Sequence, residues 1–152
     1  MAQHPPASPA PAASCPLCTE PGGLPVWHDA HWRVVRVADA DVPAFYRVIA
    51  QAHVVEFSDL DGAARSRCMA LVATVERVLL EQLQPTKINL AAFGNMVPHL
   101  HWHVMARFDW DSHFPQPLWG PRQREVTPPA AQRLRVSLET LDAAVAGALA
   151  QA

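Results

Sequence analysis

Three histidines occupy alternate positions in His99-Leu100-His101-Trp102-His103, and the intervening residues, like Val104 after them, are large and apolar. Strict alternation of this kind predicts a β-strand. Successive side chains of a strand point to opposite faces. Leu100, Trp102 and Val104 then belong to a core, and His99, His101 and His103 line the other face as a row of imidazoles. Two chemistries use such a row. One is a metal site, because Zn2+ takes neutral imidazole and catalytic zinc often has three protein ligands. The outer two histidines of such a row are roughly 6–7 Å apart along the strand, so metal bonds of about 2 Å make one ion hard to share among all three. The other is nucleophilic catalysis at phosphorus. A neutral imidazole attacks a phosphoryl group and forms a covalent phosphoramidate, which water cleaves. The second ring nitrogen must keep its proton, held by a carbonyl or a neighbouring imidazole. Another histidine can assist the leaving atom. His101 has a histidine on either side and is the natural nucleophile. The preceding Gly94-Asn95-Met96 loop could offer backbone N–H groups to phosphate oxygens.

A further cluster of reactive residues is Cys15-Pro16-Leu17-Cys18, the spacing of a metal pair or of a redox motif. Cys68 falls on an apolar helical position and reads as a small buried hydrophobe. Three cysteines with one close pair are not a disulfide framework, which favours a reducing cytoplasm.

The remaining chain must position these groups. Its 152 residues predict one domain with a real core. Half the residues are hydrophobic and the net charge is −2, so a soluble globular protein is expected, with no nucleic-acid polymer or anionic membrane as partner. No apolar run approaches the ~20 residues of a membrane span, and no basic segment followed by an apolar one marks a signal peptide. Residues 1–14 carry Pro5, Pro6, Pro9, Pro11 and many alanines and are expected to be a disordered tail before a domain over 15–152. Strands are expected over 26–28, 32–37, 45–50 and 87–93, and over the histidine strand, which ends near Phe108. An amphipathic helix is expected to start at a cap on Ser58 or Asp59, run through Cys68, Leu71, Val72, Val75, Leu79 and Leu83, and stop at Pro85. Residues 109–124 hold Trp110, Phe114 and Trp119 with three prolines and predict an irregular segment. Leu134, Leu138, Leu141, Val145 and Leu149 mark a second helix. The whole predicts an α+β fold with an antiparallel sheet of about five strands and two main helices.

The stretch from Asn89 through Gly94-Asn95-Met96-Val97-Pro98-His99-Leu100-His101-Trp102-His103-Val104-Met105 resembles the signature of the histidine-triad (HIT) family, in which three histidines alternate with apolar residues. Residues 43–53 resemble that family's Pro-x-His-x-Leu-Val-x-Pro-x-x-His stretch, and residues 109–119 (DWDSHFPQPLW) resemble a proteobacterial branch of it. The likeness spans about residues 15–108. It implies a HIT-like fold, a homodimer as the family's common state, and a nucleotide phosphohydrolase or nucleotidyl transferase. The implied substrates are nucleoside phosphoramidates, adenylylated conjugates or dinucleoside polyphosphates. It further implies that His101 is the covalent nucleophile, that His103 contacts the α-phosphate and leaving group, and that His99 orients the triad or serves a metal. Asn89, Gly94, Asn95 and Met96 would line the phosphate site. Zinc-containing members combine a Cys-x-x-Cys pair with two histidines, which here gives Cys15, Cys18, His53 and His99 as a structural zinc site. The chemistry itself would need no metal.

Three positions depart from the family pattern. Phe45 stands where a further histidine is common. Val37 falls near its ribose-binding acidic residue, with Asp39 and Asp41 close by. Met96 replaces a small polar residue of the phosphate loop. These departures motivate an alternative: a nucleotide-binding or sensing module that keeps the pocket with weak or no turnover.

Overall fold

The computed structural model describes residues 12–152. Five strands, β1 (Leu24–His28), β2 (Trp32–Arg36), β3 (Phe45–Ala50), β4 (Lys87–Ala91) and β5 (His101–Arg107), form one antiparallel sheet in the order β1-β2-β3-β5-β4. One turn of helix, α1 (Pro16–Thr19), precedes the sheet. The long helix α2 (Gly62–Leu83) connects β3 to β4, and α3 (Leu138–Leu149) closes the chain. This is the expected α+β architecture.

Alternation divides each inner strand between two layers. Trp32 and Val34 of β2, Tyr46, Val48 and Ala50 of β3, and Val104 and Ala106 of β5 face the helices. There they pack on Cys68, Leu71, Val72, Val75, Leu79 and Leu83 of α2 and on Leu141, Val145 and Leu149 of α3. Each large aliphatic side chain buried in this layer contributes about 1.5–3 kcal/mol. Cys68 behaves as the small hydrophobe expected of it, and burial pushes its thiol pKa up to about 12. Asp142 of α3 pins that helix to the sheet, accepting from the Tyr46 hydroxyl at 2.7 Å and from Arg36 Nε at 2.9 Å.

Several boundaries differ from the sequence reading. Residues Phe57–Asp59 form a separate 3-10 turn, in which Glu56 and Asp59 cap one another's backbone. The long helix therefore starts two or three residues later than expected, with Asp61 as its cap, accepting from the Ala64 amide at 2.8 Å. Its stop before Pro85 is as expected, with Gln84 in a left-handed conformation. β4 ends at Ala91, because Gly94 takes a positive φ of 67° and turns the chain. Ser137 caps α3, so Leu134 lies outside that helix. Most of the expected tail lies outside the described residues; its last three, Ala12–Ser14, form a 3-10 turn.

The second face of the sheet is covered by irregular segments. Arg33 of β2 fastens the N-terminal segment by donating to the carbonyls of Leu17 and Pro21, and Leu17 packs on Val35 and Ile49. At the other edge Arg107 holds residues 109–124. Its guanidinium donates to both carboxylate oxygens of Asp111, at 2.8 and 3.0 Å, to the Gln116 carbonyl and to Asn89 Oδ1. Arg107 is 1% exposed and Asp111 2%. Between the two covered edges the middle of the face stays open as a cavity of about 410 Å3.

Candidate active site and metal cluster

The open face belongs to side chains that alternate with the core. On β5 they are His101, His103, Met105 and Arg107; on β3 they are Phe45, Arg47 and Ile49. Register sets Ile49 opposite His101, Arg47 opposite His103 and Phe45 opposite Met105. The imidazoles therefore project together, as alternation demands. All three are buried.

Each ring is oriented by a different contact. His99, just ahead of β5, places Nε2 at 2.7 Å from the Ala50 carbonyl. A carbonyl only accepts, so Nε2 carries the proton and Nδ1 keeps its lone pair. His101 reverses this arrangement: its Nδ1 lies 2.6 Å from the His99 carbonyl. That bond fixes the Nδ1–H tautomer and leaves Nε2 with its lone pair free. His103 stands edge-on to His101, with ring centroids 4.9 Å apart and planes at 89°. Burial, His101 and Arg47 together hold its pKa down to about 3. Burial also lowers His101, with Arg47 adding to the effect. At neutral pH both rings are uncharged, as an imidazole nucleophile requires.

His103 is enclosed by aromatic rings. Phe45 meets it edge-on at 5.2 Å and Trp119 tilts over it at 5.4 Å. Its Nδ1 is buried and has no partner among the described residues. Phe45, its edge-on neighbour, cannot hydrogen-bond to it. Trp119 in turn meets Phe93 at 5.1 Å, so the irregular segment supplies an aromatic wall at the mouth of the cavity. Phe114 lies elsewhere, beside the Arg107 guanidinium. That guanidinium is engaged in the buried network at the sheet edge.

The expected phosphate residues divide. Gly94, Asn95 and Met96 line the cavity with His101 and His103. Met96 is 94% exposed and offers only a thioether, a weak acceptor. Asn89 shares the sheet face but lines a neighbouring cavity with Met105, Pro117 and Leu118, and its Oδ1 accepts from Arg107. Neither acidic candidate for the ribose lines the cavity. Asp39 accepts from the amides of Asp41 and Val42 in its own loop, and Asp41 pairs with Arg122. One cavity residue escaped the sequence reading: Arg47. Its signal was a cation inside an otherwise apolar strand, on the face set by Phe45 and Ile49.

Cys15, Cys18, His53 and His99 do converge. Their ligand atoms all lie within 4.8 Å of one another. Nδ1 of His99 is 3.4 Å from Cys15 Sγ and 3.5 Å from Cys18 Sγ, and Nδ1 of His53 is 3.3 Å from Cys18 Sγ. Ligands at 2.0–2.3 Å around a tetrahedral zinc stand roughly 3.3–3.8 Å apart, so the cluster has the size and the donor set of a structural zinc site. Both cysteines are free thiols. The proton assigned to His99 Nε2 also leaves the correct nitrogen facing the cluster. Because the His99 carbonyl orients His101, this cluster and the histidine row are joined through one residue.

Comparison with known proteins agrees with this geometry. A model of the HIT domain matches residues 24–110. A histidine triad protein from Bradyrhizobium japonicum is similar in structure, with a TM-score of 0.69 at 26% identity over 85% of this chain and 92% of the other. One from Marinobacter aquaeolei gives 0.67 at 23% identity, over 86% and 91%. A zinc-bound histidine triad family protein from Mycobacterium smegmatis gives 0.61 at 20% identity, over 93% and 96%. A comparison with curated proteins returns no match.

Proposed function

Because the chain belongs to the HIT family, whose members are generally nucleotide-binding hydrolases and transferases, we propose that it hydrolyses or transfers nucleotidyl groups through a covalent intermediate on His101. The observation that carries this reading is the 2.6 Å contact between His101 Nδ1 and the His99 carbonyl. It aims an unprotonated Nε2 into a cavity large enough for a nucleotide's phosphate and part of its nucleoside. Nε2 attacks the α-phosphorus, the bond to the leaving oxygen or nitrogen breaks, and water then cleaves the new P–N bond. His103 is neutral and presents one N–H toward the leaving atom and phosphate. Backbone amides of Gly94 and Asn95 face the phosphoryl oxygens. Nucleoside phosphoramidates and dinucleoside polyphosphates are the substrates to test, with product release followed in wild type and in His101 variants.

The second reading, a nucleotide-binding module without turnover, draws on Phe45 and the partnerless His103 Nδ1. It predicts binding with no product over hours.

Cys15, Cys18, His53 and His99 are proposed to hold one structural zinc. When bound, it supplies cross-linking of the N-terminal segment to the sheet and no chemistry at phosphorus. Protein purified without a histidine tag is expected to contain one zinc per chain, and Cys18→Ser is expected to lose it and to melt at lower temperature. Metal-free wild-type protein with reduced thiols would refute the site.

A homodimer is also proposed. β4 is a sheet edge with unpaired backbone groups, a ready template for pairing, and Leu90 on it and Leu80 on α2 are exposed. Light scattering is expected to give twice the 16.6 kDa chain mass; a monomer at micromolar concentration would contradict it.

A further inference from the structure

Arg47 is the single cation lining the cavity among the described residues, and the lining includes no carboxylate. Its guanidinium is half-buried. One Nη donates to the Gly22 carbonyl at 2.9 Å, while Nε is buried with no partner among the described residues. The guanidinium carbon lies 5.8 Å from the centroid of the Phe45 ring. Among the described residues no carboxylate pairs with it, and burial pulls it below its ordinary pKa, although a guanidinium stays charged throughout the usual range. Buried charges are as a rule paired, and leaving one unpaired is costly. Arg47 has one carbonyl as a partner and lines the cavity beside His101 and His103. The phosphate loop meanwhile has Met96, which cannot donate.

We propose that Arg47 is the phosphate-binding side chain of this site: its free N–H edge, opposite His103 in the sheet register, receives a non-bridging oxygen of the nucleotide's α-phosphate. The residue takes over a hydrogen-bonding duty that Met96 cannot perform. Arg47 also explains how a cavity with mainly apolar walls would select a nucleotide over a nucleoside. This inference rests on the nucleotide reading above for the identity of the ligand, but not on turnover.

Calorimetry on the full chain tests it, with adenosine and guanosine monophosphates set against their parent nucleosides. Charge-assisted hydrogen bonds predict that Arg47→Gln weakens monophosphate binding by about 10–100-fold while changing nucleoside binding by less than about twofold. Arg47→Lys keeps the charge but not the fork and is expected to fall between, and it carries the test alone if the glutamine variant does not fold. Parallel losses for monophosphate and nucleoside would reduce Arg47 to a tether for Gly22 and overturn the proposal. Unchanged monophosphate affinity, or a wild type that prefers neither ligand, would overturn it as well. Failure of the catalytic reading is separate, because it appears as absence of product in wild type even where monophosphate binding depends on Arg47.

Discussion

His101→Asn is expected to lose on the order of 10^4-fold or more in kcat, the scale seen when a covalent nucleophile is removed from a preorganised site. Asparagine keeps an N–H close to the position of Nδ1, so the hydrogen bond to the His99 carbonyl can persist. What it lacks is the nitrogen on the far side of the ring. The variant should therefore fold, bind nucleotide and fail to turn over. His103→Asn is expected to lose less, because in the proposed mechanism His103 assists the leaving group without forming a bond to phosphorus. Measuring kcat and KM with a phosphoramidate and with a dinucleoside polyphosphate separates these effects. Activity of His101→Asn within tenfold of wild type would refute the nucleophile.

Asp111→Ala is expected to cost about 3–5 kcal/mol of stability, the range for breaking a buried ion pair from one side. Burial alone would raise the Asp111 carboxyl, but Arg107 and the amides of His113, Phe108 and Phe114 outweigh it and hold its pKa below the ordinary value. Removing that carboxylate leaves Arg107, 1% exposed, with its remaining bonds to Asn89 and Gln116. It also frees the amides of Phe108, His113 and Phe114, which Asp111 accepts from. Residues 109–124 would then loosen, and Trp119 with them. Chemical denaturation measures the cost directly. Replacing both Arg107 and Asp111 with apolar residues is expected to be milder than Asp111→Ala, because no lone buried charge remains. A loss below about 1 kcal/mol for Asp111→Ala would show that the pair is not a buried anchor.

The fold was largely readable because two periodicities are strong. Alternation from His99 to Val104, and the helical recurrence from Cys68 to Leu83, each assign one face to the core. The same alternation put His101 and His103 on a shared face. Boundaries were harder. Ser58 and Asp59 look like a helix cap, but a separate 3-10 turn uses Asp59, and Asp61 caps the helix instead. The Cys-x-x-Cys pair could be matched to His53 and His99 only through resemblance, because they are 35 and 81 residues from Cys18. Arg107 and Asp111 carried no sequence signal of burial, since ionic residues near a strand end usually face solvent. Arg47 was missed because strand patterning was read for its apolar residues, and its importance comes from what fails to surround it. Asp39 and Asp41 were plausible ribose ligands by proximity in sequence. Asp39 is engaged by amides of its own loop and Asp41 by Arg122.

The central claim is a covalent nucleotidyl group on His101 Nε2. Wild-type protein mixed briefly with substrate, quenched under conditions that preserve P–N bonds and digested for mass spectrometry, tests it most directly. One nucleotidyl group is expected on His101, formed as fast as turnover requires, lost in acid and absent from His101→Asn. Multiple turnovers with no adduct at any quench time, or an adduct on a residue other than His101, would contradict the account.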